Sequence, residues 1–197
     1  MIEVEKKIAI REKDLLRIRQ IASFVKKTSF TDTYFDTKEY RLTLDNVWLR
    51  KREELFELKV GIKKSRDIVD HYEEITKEEE IARSLLLPTT TKLEKALEEN
   101  GFFPFCSFTT TRETYRFDDL TIDLDAADFG TMTYRLMECE LLVSKPQEIP
   151  LAEQKIHHFL QEQQISSTPA SGKIAIYLAA NRKEHYQALV KAGVLRS

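Results

Sequence analysis

The chain has 197 residues, enough for one large domain or two very small ones. Its 31 basic and 33 acidic side chains leave a net charge of −2, which excludes the strong basic excess of a nucleic-acid or membrane-surface binder. Charged residues make up 32%, above the roughly 25% of ordinary globular domains, so that charge must sit either on a salt-bridged surface or in a polar interior mixing both signs. The two cysteines, Cys106 and Cys139, form no CxxC pair and give neither a zinc knuckle nor a disulfide framework. The chain opens Met1-Ile2-Glu3-Val4-Glu5 with no apolar leader, and no apolar run approaches membrane-spanning length. A cytoplasmic protein without a membrane or nucleic-acid partner is the expectation, and it is expected to act as a monomer.

Residues 2–10 alternate with period two, Ile2, Val4, Ile8 and Ile10 against Glu3, Glu5, Lys7 and Ala9, and predict a strand. Leu15, Leu16, Ile18, Ile21 and Ala22 are spaced as a helix over 12–22. Residues 28–36, rich in β-branched and aromatic side chains, predict a second strand, followed by a short turn or helix near Thr37–Leu42. Residues 47–53 and 55–60 form a strand pair, and 70–76 a further strand beyond a basic loop, Lys63-Lys64-Ser65-Arg66. Helices are predicted over 78–87 and 91–100, the second ending at Asn100-Gly101. Strands follow at 105–117, 120–125 and 134–143, then a helix from Pro150 to about Gln164. After the breakers Pro169 and Gly172, one last helix starts near Lys173. About eight strands with mostly short connections imply antiparallel pairing and suit a closed barrel, an α+β fold with helices packed outside. A single domain over 1–197 is expected.

One face of every strand is charged. Glu3, Glu5 and Lys7 share a face, as do Trp48, Arg50 and Arg52; Glu57 and Lys59; Tyr72 and Glu74; Arg112, Thr114 and Arg116; Asp123 and Asp125; Glu138 and Glu140. The opposite faces are largely aliphatic. For one strand this is simply a sheet with one wetted side. When every strand agrees and helices cover the aliphatic side, the charges must line the lumen, where they are costly unless paired or ligated. Clustered carboxylates suit a hard divalent ion such as Mg²⁺ or Mn²⁺, and clustered Arg and Lys suit phosphate oxygens. Such an interior fits a polyanion held with a metal.

Glu3-x-Glu5-x-Lys7 resembles the N-terminal ExExK signature of the CYTH, or triphosphate tunnel, superfamily. Asp32-Thr-Tyr34-Phe-Asp36-Thr37, Trp48-Leu-Arg50-Lys-Arg52, Glu57-Leu-Lys59, Tyr72-Glu-Glu74, Arg112, Asp123-Leu-Asp125, Glu138-Cys-Glu140 and Lys173-Ile-Ala-Ile-Tyr177 follow in the family's order. Trp48 before Leu49-Arg50, the Asp125 to Gly130 stretch and the Lys155-Ile-His157 helix look like the animal thiamine-triphosphatase branch. The resemblance implies an eight-stranded antiparallel tunnel that hydrolyses a small-molecule triphosphate with Mg²⁺ or Mn²⁺. It implies metal ligation by Glu3, Glu5, Asp123, Glu138 and Glu140, with Asp125 an alternative to Asp123. Lys7, Trp48, Arg50, Arg52, Lys59, Arg112 and Lys173 would bind substrate, and Glu3, Glu5, Lys7, Lys59 and Glu74 would carry catalysis.

The implied reaction is conversion of thiamine triphosphate to thiamine diphosphate and phosphate. Tripolyphosphate hydrolysis in the same tunnel and a non-hydrolytic polyphosphate-binding module are the alternatives. Other features read blandly. His157 and His158 are helix neighbours that point apart, His71 and His185 are isolated, and Gly61-Ile-Lys-Lys-Ser65 is too short for a P-loop. Cys106 and Cys139 are packing residues on strands.

Overall fold

The computed structural model describes residues 1–62 and 70–195; the basic segment Lys63–Arg66 singled out above lies outside them. Eight strands and six helices follow in the order β1 (Ile2–Ile8), α1 (Glu12–Ile21), β2 (Ser23–Asp36), β3 (Val47–Arg52), β4 (Leu55–Gly61), β5 (Asp70–Ile75), α2 (Glu78–Ser84), α3 (Leu93–Glu99), β6 (Phe103–Phe117), β7 (Leu120–Asp128), β8 (Thr133–Val143), α4 (Ile149–Glu162), α5 (Lys173–Asn181) and α6 (Lys183–Lys191). The strands form one closed antiparallel barrel in the order β1-β5-β4-β3-β2-β6-β7-β8. No helix among the described residues is long and apolar enough to cross a membrane.

Several boundaries differ from the sequence reading: α2 ends at Ser84, before the expected Leu87, and β7 runs on to Asp128. β2 begins at Ser23, because Ser23–Lys27 is exposed and therefore carries no inside–outside alternation to read. The connection after β2 is a turn over Thr37–Leu42, the first of the two expected forms, and runs on into a 3-10 turn at Thr43–Asp45. The Asp36 carboxylate organises that connection, accepting from the backbone N–H groups of Thr37, Leu42 and Thr43 and from the Thr43 hydroxyl. The single C-terminal helix is two, α5 and α6, parted at Arg182, whose φ of −139° and ψ of 61° are not helical.

The chain divides into two compact units. The first comprises Met1–Ser29, Ile62–Tyr72 and Thr109–Lys173. In it β1 pairs with β8, β8 with β7 and β7 with β6. One face of this sheet carries Ile2, Val4, Ile8, Ile122, Leu124, Met137, Cys139 and Leu141, packed in one core with Ile18 of α1 and with Ala152, Ile156, Phe159 and Leu160 of α4. Burial of those side chains, at about 1.5–3 kcal/mol each, drives α4 onto the sheet. Pro150 in the first turn of α4 places a residue without an N–H where no helical acceptor exists.

The second unit comprises Phe30–Gly61, Glu73–Phe108 and Ile174–Ser197. Here β2 pairs with β3 and β3 with β4. Leu49, Phe56 and Leu58 form the core with Ile81, Ala82 and Leu85 from α2 and its C-terminus and with Leu93, Ala96 and Leu97 of α3. In each unit the aliphatic strand faces lie under helices, as the parity argument expects, and the opposite face holds the charge.

Candidate active site

The register in the first unit sets the charged side chains in rows. Across β1 and β8, Glu5 faces Glu140 and Lys7 faces Glu138; across β7 and β8, Asp123 faces Glu138; across β6 and β7, Arg112 faces Asp125 and Thr114 faces Asp123. Directly opposed residues in antiparallel strands share a face, so Glu3, Glu5, Lys7, Arg112, Asp123, Asp125, Glu138 and Glu140 lie on one side of the sheet. Glu3, Glu5, Asp123, Asp125 and Glu138 are all buried.

Lys7, Arg112 and Lys173 answer these carboxylates. Lys7 Nζ pairs with Glu5 and lies 3.0 Å from Asp70 Oδ2 and 5.9 Å from the Tyr72 ring centre. Arg112 spreads over three partners. Nε and Nη2 each donate at 2.6 Å to the two oxygens of Asp125, Nη1 donates to Asp123 Oδ2 at 2.5 Å, and Nη2 also donates to Glu138 Oε2 at 2.6 Å. Lys173, at the start of α5, pairs with Asp125 and donates to Glu138 Oε1 at 3.1 Å.

These contacts set the protonation states. Burial opposes the charged form of Lys7, but Glu5 and Asp70 outweigh it and hold its pKa well above the ordinary value. Glu138 is pushed up by burial and pulled further down by Lys173, Arg112 and Lys7, so it sits well below the usual carboxylate range. Asp123 goes the other way, raised because burial outweighs Arg112 and the Thr114 hydroxyl. Two carboxylates facing each other are thus driven apart in acidity.

In the second unit Arg52 forms a two-bond fork on Asp32, Nε to Oδ1 at 2.7 Å and Nη2 to Oδ2 at 2.9 Å, with its guanidinium 3.8 Å from the Phe30 ring centre. Arg50 lies 2.6 Å from Glu57 Oε1 and 3.8 Å from Asp32 Oδ2, and donates to the Tyr34 hydroxyl. Its Nε is buried without a hydrogen-bond partner among the described residues. Lys59 pairs with Glu74 at 2.8 Å. Trp48 stands opposite Lys59 in the register; it is only 6% exposed, and its indole N–H donates to Asn46 Oδ1 at 3.0 Å. Asn46 adopts a left-handed φ of 58° against Gly61, where an added Cβ would come within 1.8 Å of the Asn46 amide nitrogen.

The residues expected from sequence therefore fall into two groups, one in each unit. Glu3, Glu5, Lys7, Arg112, Asp123, Glu138, Glu140 and Lys173 lie in the first; Trp48, Arg50, Arg52, Lys59 and Glu74 lie in the second. Arg116, on the same strand parity as Arg112, is exposed and donates to the Asp119 carbonyl at the hairpin. Sequence reading gave no role to Asp70 or Asp32. Each is recognisable only from its partner, 63 and 20 residues away. His71 is not isolated but buried against Glu153 at 2.8 Å, and His185 is buried on the Thr43 hydroxyl at 2.7 Å and stacked on Tyr40. Cys106 and Cys139 are buried, free thiols on strands.

The donor chemistry of the first unit fits a hard cation. Glu3, Glu5, Asp70, Asp123, Asp125, Glu138 and Glu140 outnumber Lys7, Arg112 and Lys173, and all the acidic donors are oxygens. Among the described residues no three donors already stand in gripping distance of one ion, because ammonium and guanidinium groups lie between them.

The chain is 29% identical to the thiamine-triphosphatase of Homo sapiens over 215 residues, covering 100% of this chain and 92% of that protein. It is also 29% identical to that of Macaca fascicularis over 212 residues, covering 97% and 90%. A solved structure from Pyrococcus horikoshii shares the fold with a TM-score of 0.63 at 19% identity, covering 91% of this chain and 99% of that one. A putative adenylyl cyclase from Hippeastrum, described as having a dominant triphosphatase activity, has a TM-score of 0.60 at 20% identity, covering 91% and 95%. The model of the CYTH domain matches residues 1–170, and the protein belongs to that family.

Proposed function

We propose that this protein is a metal-dependent hydrolase that converts thiamine triphosphate to thiamine diphosphate and phosphate. The observation that carries the reading is the set of facing carboxylates, Glu5 with Glu140 and Asp123 with Glu138, laid beside Lys7, Arg112 and Lys173 on one buried face. That face offers oxygen donors for a cation and donors for phosphate oxygens within the same rows. Full-length similarity to thiamine-triphosphatases supports the choice of substrate.

Enzymes of the family depend on a metal. We assign Mg²⁺ or Mn²⁺ to Glu3, Glu5, Asp123, Glu138 and Glu140, where it would neutralise phosphoryl charge and polarise a phosphorus–oxygen bond. Lys7 and Arg112 now occupy Glu5, Asp123 and Glu138, so ligation requires them to exchange carboxylate for phosphate oxygens. Arg50, Arg52 and Lys59 take phosphate oxygens as well, and the partnerless Arg50 Nε is a buried donor suited to an anion. Glu74 orients Lys59 through their ion pair. Trp48 is assigned to the organic end of the substrate. The chain acts as one CYTH-like domain over 1–197, as a cytoplasmic monomer.

Tripolyphosphate is the second candidate substrate, and one observation favours it. Trp48 is buried and its N–H is already engaged by Asn46, as a packing residue would be. The deciding experiment measures phosphate release from thiamine triphosphate and from tripolyphosphate with Mg²⁺ or Mn²⁺. The proposal expects higher kcat/KM on thiamine triphosphate. Preference for tripolyphosphate moves the assignment to an inorganic triphosphatase, and tight binding without release makes the protein a polyphosphate-binding module.

A further inference from the structure

Asp123 and Asp125 share one face of β7, and strand parity alone leaves either free to ligate a metal. The register separates them. Asp123 faces a second carboxylate, Glu138, across β8. Asp125 faces Leu136 on that side and Arg112 on the other. A divalent ion bridges acidic neighbours, and Asp125 has none directly opposite.

The hydrogen bonds point the same way. Asp123 gives Arg112 one oxygen and spends the other on the Thr114 hydroxyl at 2.7 Å. Asp125 gives Arg112 both oxygens in a parallel fork and also pairs with Lys173. Its side chain is fully buried, at 0% exposure. The fork fixes the guanidinium plane as well as its position, which a single contact cannot do. Withdrawing Asp125 to a metal would break both bonds of the fork and the Lys173 pair, against the one Arg112 contact released by Asp123; Glu138, which both cations also share, gives each a single contact.

We propose that Asp125 is a positioning residue that leaves the metal to Asp123 and its neighbours and holds Arg112 and Lys173 in the orientation in which they receive the triphosphate. The assignment rests on reading this face as a triphosphate site. It gives Arg112 a fixed edge, Nε and Nη2 on Asp125, and one nitrogen, Nη1, whose partner Asp123 can be replaced. When metal claims Asp123, Arg112 keeps its seat and Nη1, released in place, donates to phosphate.

The test compares Asp125→Asn with Asp123→Asn in the full chain. Mn²⁺ affinity is measured by calorimetry, tripolyphosphate kinetics by phosphate release, and the Arg112 Nε–H by ¹⁵N NMR. Asp125→Asn should bind Mn²⁺ within about threefold of wild type yet lose about 10- to 100-fold in kcat/KM, mostly through KM, since the weakened contacts are charge-assisted hydrogen bonds. Asp123→Asn should lose Mn²⁺ affinity by about tenfold or more. The Arg112 Nε–H should exchange slowly in wild type and rapidly in Asp125→Asn. Loss of Mn²⁺ binding in Asp125→Asn equal to that in Asp123→Asn, or an unchanged KM, overturns the assignment. A wild-type protein that neither binds nor cleaves tripolyphosphate or thiamine triphosphate sinks the triphosphate reading instead. The Arg112 signal then still judges the fork, as it does if Asp125→Asn fails to fold, because rapid exchange in wild type refutes it.

Discussion

Replacing Trp48 by Leu distinguishes a ring that reads the substrate from a ring that only packs. Trp48 sits in β3 on the parity of Arg50 and Arg52, opposite Lys59, so a cationic thiazolium held near this strand would meet its π-face. That contact is worth roughly 0.5–2 kcal/mol, which converts to about a 2- to 30-fold fall in kcat/KM for thiamine triphosphate. Tripolyphosphate has no ring and should change by less than about twofold. Leu is the informative replacement. Trp48→Ala at 6% exposure would open a cavity costing about 3–5 kcal/mol and confound the kinetics with unfolding. Leu keeps apolar volume and should cost about 1–3 kcal/mol, including the lost N–H bond to Asn46. The assay is kcat/KM on both substrates beside thermal melting. Equal losses on the two substrates refute thiamine recognition by this ring.

Other perturbations separate further roles. Excess chelator should abolish phosphate release and Mg²⁺ should restore it; undiminished activity would mean that the basic residues suffice. Glu3→Gln should melt near wild type while turnover falls at least about tenfold, since it removes repulsion in an acid-rich cluster; Glu5→Gln should lose turnover likewise and some stability too, because it weakens the buried pair with Lys7; an unfolded variant of normal specific activity would make the carboxylate structural. Glu138→Gln should instead lose about 3 kcal/mol of stability, because Arg112 and Lys173 would be left buried with less compensation, and urea melts would show it. His185 has its pKa lowered from 6.5 to about 4 by burial, with Asp36 opposing and Arg182 reinforcing, while Thr43, Tyr40 and Phe105 enclose the ring. A depressed histidine favours its neutral form in the fold, so its stabilisation is complete above about pH 6.5 and lost as pH falls toward 4. The loss is no more than about 3 kcal/mol, nearer 1–2 after solvent screening. His185→Gln should flatten that part of the pH–stability curve, and an unchanged slope would assign the acid sensitivity to other groups.

Strand parity was legible because a side chain's face depends only on its position modulo two, a property of local geometry. It marked Glu3, Glu5 and Lys7 on one side of β1 and Arg50 and Arg52 on one side of β3 without any knowledge of neighbours, and the helices did cover the aliphatic sides. The exposed start of β2 escaped notice for the same reason, since a strand wetted on both faces has no alternation to read. What parity cannot supply is register. Whether Asp123 or Asp125 faces a carboxylate, whether Asp32 seats Arg52, and whether Asp70 reaches Lys7 depend on how strands far apart in the chain slide past one another. A shift of two residues would preserve every face and change every partner. Protonation was equally out of reach, because burial raises Asp123 past what Arg112 offsets, whereas Lys173, Arg112 and Lys7 together outweigh burial at Glu138. The residue types and faces of the site are local and reside in the sequence; their pairing and protonation depend on contacts that span as many as 63 residues, which only the tertiary structure decides.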